Sequence, residues 1–140
     1  MTNDTLLAEA KRTYNEAYEH VIEGDASKAL SGIELAAASL HLWRQVGTAK
    51  NEAIGLWMLS RALLKVGARD SAIEAGEKCL DIAEDISTDW MIASALEALT
   101  RATLGTPQHE VYRARAIAAI DAIADAEDRE HISSQFADLR

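Results

Sequence analysis

Two glycines, Gly24 and Gly67, each close a long segment of helical apolar periodicity, and they stand 43 residues apart. Ala29 and Ala72 keep the same offset, and KALSGIELAA (28–37) aligns at that offset with SAIEAGEKCL (71–80), with small residues recurring where two helices must approach closely. A third copy is fainter: RALL at 61–64 matches RATL at 101–104, with a glycine downstream of each. A period of this size marks units that cannot bury their apolar face alone and must stack on copies of themselves. The chain of 140 residues has room for about three such units in one domain, 1–140.

Composition fixes what the units are made of. There are 27 alanines against four valines, which favours helix over strand. Punctuation then divides the chain into seven helices. The first runs from about Asp4 to Glu23 and ends at Gly24, a suitable left-handed C-cap. The second runs from about Asp25 to Val46, with Ala26, Ala29, Leu30, Ile33, Ala37, Leu40 and Trp43 on its stripe. Thr48 caps a third that reaches Val66, and Asp70 caps a fourth carrying Ala72, Gly76, Cys79, Ala83 and Ile86. Ser87 or Thr88 opens a fifth, which ends at Gly105. Thr106 as cap and Pro107 as first residue open a sixth to about Ala124. Asp125 caps a last short helix with Ile132, Phe136 and Leu139 on one face.

The stretch LWMLSRALLKVGARDSAIEAGEKCLDIA (56–83) resembles a tetratricopeptide repeat: an aromatic in its first helix, an inter-helix glycine, small Ala72 and Cys79 in its second, and a Cys-Leu-x-Ile ending. Thr13 to Ser39 and residues 90–118 resemble it more loosely. Two features depart from the family: a spacing nearer 40–43 than 34, and no proline ending the repeats. The resemblance implies an all-α, right-handed array of antiparallel helical hairpins, about three repeats, with a C-terminal capping helix. HLWRQVGTAKN (41–51), SRA (60–62), CL (79–80), EALTRA (97–102) and IADAEDR (123–129) also resemble, weakly, bacterial proteins of similar size with no assigned activity, implying a bacterial origin.

Charge and motif content exclude several function classes. A net charge of −9 opposes nucleic acid and anionic lipid, and the largest basic cluster, Arg113 with Arg115, is too small to reverse that. The opening MTNDTLLAEAKR lacks the apolar core of a secretory leader, and no apolar run predicts a membrane span. These features predict a cytoplasmic protein. The lone Cys79 excludes an internal disulfide framework, and its place on an apolar stripe predicts a buried structural thiol. His20, His41, His109 and His131 fall in no recognised metal motif, and no phosphate-binding loop occurs, so neither a metal nor a cofactor is expected. The acids Asp121, Asp125, Glu127, Asp128 and Glu130 read as a solvated surface at a helix start.

In tetratricopeptide arrays the first helix of each hairpin lines the concave face. Carried onto this chain, the resemblance makes Tyr14, Tyr18, Trp57, Arg61, Glu97 and Arg101 the groove residues. They form three pairs, each four apart and so on one helical face. His41, Trp43 and Asn51 flank the second turn and belong to the same neighbourhood. Guanidiniums grip carboxylates and aromatics give rigid contact area, so the expected ligand is a protein or peptide presenting an acidic group. The same residues admit a bland reading, in which Trp57 is core and Glu97 simply pairs with Arg61 and Arg101. Three functions follow: a non-enzymatic interaction module; a small-molecule receptor or enzyme, which calls for a closed pocket of about 300–1,000 Å³; and a homo-oligomeric assembly element, a homodimer burying more than about 1,000 Å².

Overall fold

The computed structural model describes residues 1–140 and is helical throughout. Its helices are α1 (Asn3–Val21), α2 (Ala29–Val46), α3 (Ala49–Lys65), α4 (Arg69–Asp85), α5 (Asp89–Ala102), α6 (His109–Asp121) and α7 (Ala126–Phe136), with short 3-10 turns at Ala26–Lys28 and Ala137–Leu139. Packing follows chain order in three pairs, α1 with α2, α3 with α4 and α5 with α6; α2 also meets α3, and α4 meets α5. The odd-numbered helices touch as well, α1 with α3 and α3 with α5, and α7 lies on α5 and α6. No helix is long and apolar enough to cross a membrane.

Local chemistry explains several of the boundaries. Thr48 and Asn51 form a reciprocal capping box: the Asn51 amide donates to Thr48 Oγ1 at 3.3 Å, and the Thr48 amide donates to Asn51 Oδ1 at 3.0 Å. Asp125 accepts from the Asp128 amide at 2.9 Å and opens α7 as expected. At the end of α3, Gly67 takes φ +82° while its amide and that of Ala68 bond back to Leu64 and Leu63 at 2.9 Å each. That pattern satisfies the last carbonyls and needs a left-handed residue. Ser87 serves the same role after α4 with φ 53°, a conformation that disfavours any side chain.

Other boundaries depart from the sequence reading. The first helix ends at Val21, and Gly24 is not left-handed. Gly24 is needed for closeness, since a Cβ there would sit 2.5 Å from the His20 carbonyl oxygen. Asp25 caps a 3-10 turn, so α2 starts only at Ala29. Asp70 lies inside the first turn of α4, behind an Ala68 cap. The fifth helix stops at Ala102, before Gly105. The sixth starts at His109 because the Thr106 hydroxyl turns back to donate to the Thr103 carbonyl at 2.7 Å, which leaves no cap at Pro107. It also ends at Asp121, short of Ala124.

The small-residue stripe of α4 is where the layers close. Ala72, Cys79 and Ala83 are fully buried. Ser60 of α3 donates to the Ala72 carbonyl at 2.7 Å, and the Cys79 thiol donates to the Ala53 carbonyl at 3.2 Å. On the other side, a Cβ at Gly76 would meet Leu99 Cδ2 at 2.9 Å. Small side chains are therefore what lets α4 seat between α3 and α5. Burial pushes the Cys79 thiol up to about 12, which keeps it an inert core group.

Candidate functional site

The site is built on the odd-numbered helices. One turn separates Tyr14 from Tyr18 on α1, Trp57 from Arg61 on α3, and Glu97 from Arg101 on α5. The contacts of α1 with α3 and of α3 with α5 bring the three pairs next to one another, with Trp57 common to both groupings.

Trp57, Arg61, Glu97 and Arg101 meet as a charged network. Glu97 is 0% exposed and sits at its centre. Its Oε1 accepts from Trp57 Nε1 at 3.0 Å and from Arg61 Nη1 at 3.3 Å; its Oε2 accepts from Arg61 Nη1 at 3.3 Å and from Arg101 Nε at 2.8 Å. The Arg61 guanidinium also lies 5.5 Å from the centre of the Trp57 ring. Glu97 thus has no surface to offer a partner: the groove carboxylate expected from the sequence is the buried hub that orients two guanidiniums and an indole. Burial pulls the Arg61 pKa down against the attraction of Glu97. Burial acts on Arg101 too, but bonds to Asp138 and Glu97 outweigh it and raise its pKa.

Tyr14 and Tyr18 belong to a neighbouring recess rather than to that network. With Trp57, Trp90, Ile54, Met91 and Ile132 they line a partly open, largely apolar cavity of about 140 Å³. Ser94, His131 and Gln135 supply its polar edge. Burial, then the neighbouring Tyr18 and Cys79, holds the Tyr14 phenol well above its usual range, so it is a neutral hydroxyl. Four of the chain's seven aromatic residues converge here. His131, Ile132 and Gln135 come from α7, which therefore forms one wall.

A second recess of about 270 Å³ lies along the same helices, lined by Val21, Ile22, Arg61, Leu64, Lys65 and Arg101. Lys65 Nζ donates to the carbonyls of Val21 at 2.8 Å, His20 at 3.4 Å and Gly24, closing the end of α1. Arg101 reaches outward, with Nη1 2.6 Å from Asp138 Oδ2, Nη2 3.1 Å from Asp138 Oδ1, and Nη2 3.2 Å from the Gln135 carbonyl. The two recesses adjoin where Trp57 of the first meets Arg61 of the second.

Sequence reasoning missed Lys65, Trp90, Gln135 and Asp138. Lys65 had a signal, since it continues the Trp57–Arg61 spacing by one more turn. Asp138 had none, because its contact with Arg101 spans 37 residues. His41, Trp43 and Asn51 lie elsewhere: His41 bonds Gln45, Asn51 serves the capping box, and the Trp43 indole is buried with its Nε1 unpartnered. No group of three or more His, Cys, Asp or Glu side chains is placed to hold a metal ion.

No protein-family model, curated protein or solved structure matches this chain.

Proposed function

We propose that the chain is a non-enzymatic binding module of the tetratricopeptide-like kind, a right-handed array of three helical hairpins closed by α7. Its concave face takes a protein or peptide partner, which inserts one large apolar side chain among Tyr14, Tyr18, Trp57 and Trp90. The observation that carries this reading is the cavity itself. At about 140 Å³ it matches the roughly 150 Å³ that accommodates a benzene-sized group. It falls short of the roughly 300–1,000 Å³ typical of sites that enclose a whole small-molecule ligand. Rigid aromatic walls around a single anchor are the usual form of an interaction hot spot. The adjacent ionisable groups are committed to one another through Glu97, which suits a scaffold holding shape rather than a reacting centre.

The test fills the cavity. Ser94 lines it, so Ser94→Leu should occupy the space with little change in fold. Immobilised wild-type protein should retain a partner from an extract of its native host, and the variant should lose it at unchanged helicity. Retention of the same proteins by both would sink the reading. Selective loss of a metabolite instead of a protein would favour the small-molecule alternative.

A further inference from the structure

We propose that the partner segment pairs its apolar anchor with an acidic side chain, and that this carboxylate takes the edge of Arg101 now held by the chain's own Asp138. The inference rests on the reading of the concave face above and adds a second point of contact to it. The cation-lined recess adjoins the aromatic cavity: Gln135 lines the cavity, and its carbonyl accepts from Arg101 at 3.2 Å. Of the three cations in that recess, two are spent on interior partners. Arg61 is held by Glu97 and Trp57, and Lys65 by the carbonyls that end α1. Arg101 differs, since beyond Glu97 it offers both terminal nitrogens to a single carboxylate in a bidentate pair. Asp138 belongs to the 3-10 turn Ala137–Leu139 and its side chain is 62% exposed, whereas that of Arg101 is 19% exposed. The Asp138 end of this pair lies open to water, so an incoming carboxylate can reach the guanidinium edge as Asp138 swings away. The seat is therefore already shaped for a carboxylate and filled by one that stands at the surface, so the C-terminal turn acts as a competitor within the chain.

The experiment uses the full chain and three short N-acetylated, C-amidated peptides: one with a Phe and a Glu, a match with Gln for Glu, and a third with Ala for Phe. Versions place Phe and Glu from adjacent to one helical turn apart. Binding is followed by tryptophan emission, in which Trp57 and Trp90 line the cavity and Trp43, remote from it, gives a constant background. The Glu peptide should bind about two- to fivefold more tightly than the Gln peptide, the range of a partly exposed ion pair. In Asp138→Ala, whose helicity should be unchanged, the Glu peptide should tighten by a similar factor and the Gln peptide should not. Equal affinity of Glu and Gln peptides at every spacing, or equal tightening of both in Asp138→Ala, overturns the proposal while Phe-dependent binding leaves the module reading in place. Binding that ignores the loss of Phe, or no binding by any peptide, overturns both.

Discussion

At the scale of single residues, the two buried tryptophans give opposite expectations. Trp57 Nε1 is bonded to a buried carboxylate, whereas Trp43 Nε1 is buried with no partner. Trp57→Phe therefore leaves Glu97 Oε1 with only its 3.3 Å bond to Arg61 and should cost about 1.5–3 kcal/mol beyond the loss of ring area. Trp43→Phe discards a donor that gains nothing, so its area loss should be partly repaid, and it should be the milder variant by about 1–2 kcal/mol. Urea unfolding of both variants checks the ordering, and equal costs would contradict the assigned hydrogen bonds. Glu97→Ala should be worse than either, about 3–5 kcal/mol, because it leaves two half-buried guanidiniums without the carboxylate between them. The four-residue spacing made Glu97 and Arg101 visible as neighbours in the sequence. It could not tell a carboxylate at the surface from one sealed beneath it, because depth depends on what packs above: here Trp57 from α3 and the Arg101 side chain, itself held over by Asp138.

At the scale of elements, turns carry the strain and the pH dependence. Ser87 holds a left-handed conformation that Gly67 and Gly105 adopt without a side chain. Ser87→Gly should stabilise the protein by about 0.5–1 kcal/mol, seen as a higher melting temperature. Arg101 depresses the Asp138 pKa below its usual 3.8 through a direct hydrogen bond. A depressed carboxylate contributes stability that is present above the unfolded pKa and lost as pH falls through the folded value. The hold on the C-terminal turn should therefore persist at neutral pH and fade below about pH 3.8. Asp138→Ala should remove that part of the acid-side loss, read by stability measured across pH. Helix existence was legible because each glycine or cap residue punctuates an apolar period. Helix starts were less so. Thr106-Pro107 has the composition of a helix opening, but its hydroxyl is claimed by Thr103, and His109 anchors the real start through a 2.9 Å contact with the Thr100 carbonyl.

At the scale of the whole molecule, burial is concentrated in the middle. Ten of the fourteen residues of α5 are buried, against two of thirteen in α6 and two of eleven in α7. Amide exchange should therefore be slowest in α5 and fastest in α6 and α7, since local opening costs least where the fewest apolar contacts break. Comparable protection across all three helices would argue that the protein opens only as a single unit. The packing of each helix on its neighbour in the chain was legible from the short turns between them; the unequal burial was not, because it comes from α5 being covered by α3, α4, α6 and α7 together. The ammonium of Lys65 has a consequence for biosynthesis. It supplies donors to the last carbonyls of α1 and to that of Gly24 just beyond it, from 41 to 45 residues further along the chain. A nascent chain emerging amino terminus first must expose those carbonyls to water until α3 has left the ribosome and docked. The first helix is thus made early but finished late, and an arrest of translation before residue 65 should leave its end frayed.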